Sequence, residues 1–250
     1  MTLSPTPEIL VFSDQEELSR QAAEAVVCTL LAARERPRLS LALSGGNTPL
    51  GLYRRLAAPP LRDAVPWDRL EVFWSDERAV PPDHPESNFR LARESLLDHV
   101  PLTPAQIHRP PVDGAALKAV AIRYAAEIRR VLGGKTPRFD LILLGLGADG
   151  HTASLFPGSP ALAAADPVAA VEAPAVGGLP RLTFTPVLLN AAHSVFFLAA
   201  GPGKAPAVRL ALQSRAAPTT CPARIVAPED GRVRWFLDGD AAALLKPPSE

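Results

Sequence analysis

LILLGLGADGHTASLFPG, at residues 141–158, indicates the fold class of this chain more directly than any other segment. The run LILL has the pattern of a strand that is buried on both faces in a parallel sheet. Glycines at 145, 147 and 150 follow, and they allow the sharp turn that must come at the end of such a strand. Ligand sites in open α/β sheets form beyond the carboxyl ends of the strands. We therefore expect a site there, with His151, two residues after Asp149, as its acid–base residue.

Strand patterns and helix patterns alternate on both sides of this stretch. Besides residues 141–144, strands are predicted at 8–12, 38–43, 70–74, 194–200, 225–226 and 233–237. Helices are predicted after a capping box at Ser13 and Glu16, after Thr48 as N-cap, and at 88–98, 113–132, 185–191 and 203–212. Residues 75–88 and 159–180 are predicted as loops. The alternation predicts an α/β fold, a doubly wound, mostly parallel sheet flanked by helices, in a single domain over residues 1–250.

The composition argues against several classes of protein. Lysine and arginine number 26, as do aspartate and glutamate, so net charge offers no attraction to nucleic acid or to an anionic membrane. Charged, polar or proline residues interrupt every apolar run, and the first residues lack the pattern of a secretory signal. Cys28 and Cys221 are far apart and form no CxxC pair. We therefore expect a cytoplasmic protein that binds neither nucleic acid nor membrane.

Two further turns next to predicted strands carry groups that bind anions. In LSGGNTP, Gly45 and Gly46 expose backbone N–H groups, Ser44 adds a hydroxyl, and the following helix adds the unpaired donors of its first turn. In GPGK, Lys204 places a cation just past the strand at 194–200. An ordinary turn between strand and helix and a solvated surface lysine are the alternative interpretations. The combination favours a phosphate site.

Charged residues also follow the strand at 70–74 directly, in SDER. The guanidinium of Arg78 is a planar fork that suits phosphate or carboxylate, and Asp76 and Glu77 stand beside it. A charge cluster is by default a solvated surface feature. Four predicted strand ends each carry anion-binding or acid–base groups. This repetition argues against the interpretation that all four are solvated surface features. We predict that they form one site.

Two other chemistries are weaker alternatives. GLGADG matches the dinucleotide fingerprint G-x-G-x-x-G, but Pro157 lies seven residues beyond Gly150, where the fingerprint needs a long helix. The fingerprint also lies past the middle of the chain, although it usually occupies the first turn between strand and helix. The other histidines show no metal-ligand spacing and have no cysteine partner. We expect neither a nicotinamide cofactor nor a metal.

Four blocks of the sequence together closely resemble the 6-phosphogluconolactonases of the pentose phosphate pathway. They are LSGGNTP, WSDERAVPPDHPESN, LGLGADGHTASLFPG and AAGPGK, and they stand in that family's order between residues 43 and 204. DGHTASLFPG is the most specific of them, and HPESN is moderately specific. The resemblance implies a sugar-phosphate isomerase-like, Rossmann-related fold and hydrolysis of 6-phospho-D-glucono-1,5-lactone without an obligatory cofactor. The partner is then a small sugar-phosphate lactone, and we expect the chain to be a monomer.

Lactone hydrolysis assigns a role to each block. We hypothesise that neutral His151 deprotonates the attacking water and that Asp149 orients its ring. By the resemblance, Arg78 contacts a substrate anion, either the phosphate or the tetrahedral oxyanion. Asp76 and Glu77 then position Arg78 and the sugar hydroxyls. The phosphate ligands implied by the matching blocks are Ser44, Gly45, Gly46 and Lys204.

Two alternative functions use the same blocks. The glucosamine-6-phosphate deaminases share the fold and a similar turn, but they carry a glutamate five residues after the histidine, where this chain has Phe156. A non-catalytic sugar-phosphate sensor would keep the phosphate ligands but would have no reason to retain Asp149 and His151. Both differences favour the lactonase.

Overall fold

The computed structural model describes residues 6–113, 116–172 and 178–246. The strands in chain order are β1 Glu8–Phe12, β2 Leu39–Leu43, β3 Leu70–Trp74, β4 Asp76–Arg78, β5 Leu141–Gly145, β6 Val168–Val171, β7 Arg181–Phe184, β8 Ser194–Ala199 and β9 Arg232–Asp238. The α-helices are α1 Gln15–Ala32, α2 Thr48–Leu56, α3 Leu61–Ala64, α4 Asn88–Ser95, α5 Leu117–Leu132, α6 Pro186–Leu189, α7 Ala205–Gln213 and α8 Gly239–Ala242. Short 3₁₀ helices lie at Trp67–Arg69, Leu97–His99, Pro104–Gln106, Pro160–Ala163, Pro202–Lys204 and Pro222–Ile225.

The main sheet has the strand order β1-β9-β8-β5-β2-β3, and every neighbouring pair in it is parallel. From β2 the chain moves outward to β3, and it then returns to place β5 on the other side of β2. The strand order therefore reverses between β2 and β5, which opens a crevice at their carboxyl ends. This sheet confirms the predicted doubly wound, mostly parallel α/β fold.

Helices pack on both faces of the main sheet, and each face has its own hydrophobic core. Successive side chains of a strand point to opposite faces. In β2, Leu41 and Leu43 therefore join a core with α1 and α2, whereas Ala42 joins a core with α5 and α7. All five residues of β2 are buried, as are four of the five in β5. Burial on both faces explains why these strands are uninterrupted apolar runs in the sequence.

A second sheet, with the antiparallel order β4-β7-β6, was not predicted. β4 continues the chain just after β3, so the predicted loop 75–88 begins with a strand. β6 lies within the predicted loop 159–180. These strands have three or four residues each, too few for a periodicity to separate strand from loop, and DER in β4 is wholly charged. Pairing with distant residues creates this sheet.

Several predicted boundaries also need correction. The helix predicted at 88–98 ends at Ser95 and is followed by a separate 3₁₀ helix. The helix predicted from 113 begins at Leu117; residues 114–115 lie outside the described residues. The strand predicted at 225–226 is wrong, because Ile225 ends a 3₁₀ helix whose first residue is a proline. Such short segments carry too little periodicity to separate strand from helix.

The predicted N-caps are each displaced by one residue. α1 is capped by Asp14 and not by Ser13: the Asp14 carboxylate accepts the backbone N–H of Glu17 at 2.9 Å. For α2 the cap position is Asn47, and Thr48 is the first helical residue. Pro49 thus lies inside the first turn, where the missing N–H has no intrahelical acceptor.

No helix in residues 6–113, 116–172 and 178–246 is long and apolar enough to cross a membrane. Both cysteines are free thiols, with Cys28 exposed and Cys221 buried. Cys221 packs against Gly150 in the turn that carries His151, because a Cβ on Gly150 would lie 2.9 Å from the Cys221 Sγ, and Ala223 donates its backbone N–H to the Gly150 carbonyl at 3.0 Å. This contact ties the turn after β5 to the segment that precedes β9.

Candidate active site

A cleft of about 440 Å³ lies at the carboxyl ends of the central strands. It sits at the crevice between β2 and β5, where the strand order reverses, and the small antiparallel sheet forms one of its walls. The four strand-end turns singled out in the sequence all reach it. The predicted site residues that line it are Ser44, Gly45, Gly46, Asp76, Arg78, His151 and Lys204.

His151 and Asp149 form a hydrogen-bonded pair at the end of β5. The imidazole Nδ1 lies 2.6 Å from Asp149 Oδ1, and the His151 backbone N–H donates to the same oxygen at 3.1 Å. Burial acts to raise the pKa of Asp149, but the backbone N–H and the imidazole of His151 outweigh it and hold that pKa below its ordinary value. The ionised carboxylate therefore accepts from Nδ1–H, which leaves the lone pair of His151 on Nε2.

The turn permits this pair only because it is rich in glycine. A Cβ on Gly147 would lie 2.0 Å from Nδ1 of His151 and 2.6 Å from Oδ1 of Asp149. Gly150 has a φ of +83°, a backbone conformation that favours glycine. Ala153, which lines the cleft, also has a positive φ, at 46°. Strained non-glycine backbone of this kind clusters at functional sites.

The turn after β2 presents donors to the same cleft. The Tyr53 hydroxyl donates to the Ser44 carbonyl at 2.7 Å and accepts the Ser44 backbone N–H at 3.0 Å, which fixes the start of the turn. Among the described residues, the buried hydroxyl of Ser44 has no hydrogen-bond partner. A buried polar atom without a partner costs free energy that a bound ligand can recover. The turn, together with Lys204, which lines the same cleft, is suited to an anion.

Two arginines face the cleft from the small sheet. Arg78 on β4 stands opposite Arg181 on β7, and within the described part of the chain the buried Nε of each has no partner. Burial lowers the pKa of Arg181, and the charge of Arg78 lowers it further. Like charges directly opposite each other destabilise an antiparallel pair, so a bound anion would stabilise this wall. Sequence reasoning missed Arg181, because only strand pairing brings it to the site.

Asp76 and Glu77, predicted as a pair, point in different directions because successive residues of a strand alternate. Asp76 lines the cleft, where its carboxylate accepts from the Ser154 hydroxyl at 2.7 Å. Glu77 is fully buried, and it accepts the backbone N–H groups of Arg78 and Asn88, each at 2.8 Å. Burial raises the pKa of Glu77 against those bonds. The prediction that Glu77 contacts sugar hydroxyls is therefore corrected: its carboxylate supports the backbone behind Arg78.

Phe156 stands next to the histidine. Its ring centroid lies 4.6 Å from that of the His151 imidazole, and the guanidinium carbon of Arg181 lies 5.4 Å from the same centroid. The aromatic ring thus contacts both the base and the second arginine, and it offers no proton-transfer group. This is the position at which the deaminase motif has a glutamate.

A second groove, of about 470 Å³, lies at the opposite edge of the main sheet, near the amino ends of β8 and β9. Its Arg36 and Arg234 are already paired with Asp140 and Glu8, respectively. None of the predicted site residues reaches it. Nowhere in the described ranges do three or more histidine, cysteine, aspartate or glutamate side chains cluster so that they could hold a metal. The cleft at the carboxyl ends is therefore the candidate active site.

Comparison with known proteins agrees with this geometry. Residues 13–235 match the family described as glucosamine-6-phosphate isomerases/6-phosphogluconolactonase. A 6-phosphogluconolactonase of Synechocystis sp. is 44% identical over 245 residues, covering 96% of this chain and 99% of the relative. The solved 6-phosphogluconolactonase of Trypanosoma cruzi is 31% identical with a TM-score of 0.86, covering 98% of this chain and 99% of the other. A monomeric glucosamine-6-phosphate deaminase, 24% identical with a TM-score of 0.81, covering 95% of this chain and 100% of the other, shares the fold. The chain belongs to the family of glucosamine-6-phosphate isomerases and 6-phosphogluconolactonases.

Proposed function

We propose that the chain hydrolyses 6-phospho-D-glucono-1,5-lactone to 6-phosphogluconate, the lactone step of the oxidative pentose phosphate pathway, in the cleft described above. The pairing of His151 with ionised Asp149, in a cleft whose other walls carry cations and a glycine-rich turn, is the observation that carries the proposal. Lactonases with this fold, and a relative 44% identical over nearly the whole chain, support it.

The reaction needs one base and a site for one oxyanion, because a six-membered lactone is an activated ester. His151 Nε2 takes a proton from water as the water oxygen attacks C1. The tetrahedral intermediate then collapses, the bond from C1 to the ring oxygen breaks, and the imidazolium returns the proton to that oxygen. Asp149 stabilises the imidazolium between the two steps. A general base positioned in this way contributes about 10²–10⁴-fold to the rate.

The cationic and N–H groups divide between the two ends of the substrate. Ser44, Gly45, Gly46 and Lys204 hold the phosphate, as the anion-binding chemistry of their turns favours. Arg78 holds either the phosphate or the oxyanion. Arg181, opposite Arg78 on the ladder, adds a second guanidinium to the same wall. The product, 6-phosphogluconate, carries an anion at each end, so a cleft rich in cations fits it as well.

A lactonase assay at controlled pH tests the proposed function. Freshly made 6-phosphogluconolactone is added to the protein, and acid release is measured against spontaneous hydrolysis. We expect release far above the spontaneous rate. Loss of the lactone at the spontaneous rate only, together with tight binding of 6-phosphogluconate, would indicate the sensor in place of the enzyme.

The deaminase alternative makes a separate prediction. Incubation with glucosamine 6-phosphate should release no ammonia above background, because Phe156 stands where ring opening needs a carboxylate. The ring sits 4.6 Å from His151 and cannot relay a proton. A genuine deaminase assayed in parallel supplies the positive control. Ammonia release comparable to that control would refute the lactonase assignment.

We also propose that the chain acts as a cytoplasmic monomer without metal, cofactor or nucleic acid. Its 26 basic and 26 acidic residues supply no electrostatic drive toward nucleic acid. The proposed steps use only side chains and backbone groups of one copy. Light scattering coupled to size exclusion tests the monomer, and unchanged activity after treatment with a chelator tests the independence from metal.

A further inference from the structure

The guanidinium of Arg78 is held along one edge only. Its Nη1 donates to the Glu86 carbonyl at 2.9 Å and to Asn88 Oδ1 at 2.6 Å. In the described residues its Nε is buried and has no partner. The protein thus occupies Nη1, and the edge formed by Nε and Nη2 is left to donate to a ligand. Two donors along one edge match the two oxygens of a phosphate or of a carboxylate.

Asn88 is the side chain that fixes this orientation. It is only 1% exposed, and it is the first residue of α4. Its backbone N–H donates to Glu77, and its Nδ2 donates to the Asp76 carbonyl at 2.8 Å and to Asp76 Oδ1 at 3.3 Å. Because the amide nitrogen is committed to Asp76, the amide oxygen must face Arg78. A flipped amide would set two donors against each other.

The same amide oxygen also meets the turn that we assign to the phosphate. A Cβ built on Gly45 would lie 1.8 Å from Asn88 Oδ1, so the turn approaches this side chain as closely as a glycine allows. Asn88 therefore touches three parts of the cleft wall: Arg78 on β4, Asp76 on the same strand and the turn after β2.

We propose that Asn88 is a positioning residue, which aims the free edge of Arg78 at the substrate anion and sets its distance from the phosphate turn. The inference rests on the proposed function, because it assumes that the anion is part of the lactone substrate. Asn88 acts through Arg78 and needs no contact of its own with the reacting atoms. HPESN, in which Asn88 is the last residue, is the sequence signal that this role explains.

A double-mutant cycle with Arg78 tests the proposal. Asn88→Ala should lower kcat/KM for the phosphorylated lactone by about tenfold, the scale of one charge-assisted hydrogen bond. In an Arg78→Ala background the same substitution should change kcat/KM by less than about twofold, because the group that it positions is gone. Equal losses in the two backgrounds would overturn the proposal, since a general defect of folding or packing lowers both alike.

Controls keep the outcome interpretable. Glu94→Ala changes an exposed residue of the same helix, whose carboxylate pairs with Arg90 and Arg93 and which does not line the cleft, and it should stay within about twofold of the unmodified protein. If Asn88→Ala does not fold, the cycle is repeated with Asn88→Ser, because a serine side chain is too short to reach Arg78 Nη1. The same double-mutant cycle is also measured with the Kd for 6-phosphogluconate, a readout that does not require turnover. A protein without turnover would then refute the proposed function, while additive losses of affinity would refute the role of Asn88.

Discussion

His151→Asn is expected to lower kcat by about 10²-fold or more, with a much smaller change in the affinity for substrate. Asparagine keeps a comparable size and can still hydrogen-bond to Asp149, but it cannot take a proton from water. The loss should therefore fall on the chemical step. Steady-state kinetics on the phosphorylated lactone, with circular dichroism to confirm folding, measures it.

The pH profile gives the same prediction a second readout. Imidazole acts as a base only when it is neutral, so activity should fall on the acid side with a single ionisation. Asp149 cannot be the source of that fall near neutral pH, because its pKa is held below the ordinary 3.8 and it stays ionised there. His151→Asn should abolish this acid limb along with the turnover.

Asp149→Asn is the matched comparison. It removes the charge that orients the ring but leaves the base in place, so it should cost less than His151→Asn. If His151→Asn kept near-normal turnover and the same acid limb, the proton acceptor would lie elsewhere. Asp76 would then be the first residue to test, because its carboxylate lines the cleft.

Lys204→Ala is expected to raise the KM for the phosphorylated lactone by about 10- to 150-fold, which corresponds to about 1.5–3 kcal/mol for a charge-assisted contact to phosphate. Lys204 is half-buried at the end of a 3₁₀ helix and lines the cleft with the glycine-rich turn. Unphosphorylated gluconolactone lacks the group that the lysine contacts. Its KM should therefore change little, and kinetics on both lactones measures the difference.

Lys118→Ala supplies the control for this substitution. Lys118 lies on α5, exposed and outside the cleft, and its loss removes the same net charge from the protein. It should leave both lactones unaffected. Equal losses on both lactones with Lys204→Ala would show that Lys204 does not contact the phosphate.

Local sequence patterns are sufficient to predict the main sheet and most of the cleft. LILL and LSLAL are uninterrupted apolar runs because β5 and β2 are buried on both faces, and glycines follow each of them where the chain turns. The carboxyl ends of parallel strands lie at one edge of the sheet. Residues far apart in the chain, such as Ser44, His151 and Lys204, are therefore assigned to one site by their positions after predicted strands.

Long-range pairing, which no local pattern encodes, places the groups behind and beside those residues. DER is wholly charged and RLTF has only four residues, so neither segment predicts a strand by itself. They become β4 and β7 because they pair with each other, which brings Arg181 opposite Arg78. The opposite orientations of Asp76 and Glu77 follow from the alternation of that strand. The role of Asn88 depends on contacts with two other segments of the chain. Periodicity and turn chemistry act within a few residues, so they specify the strands of the main sheet and the turns that follow them. Tertiary contacts specify which polar groups are buried and which face the cleft.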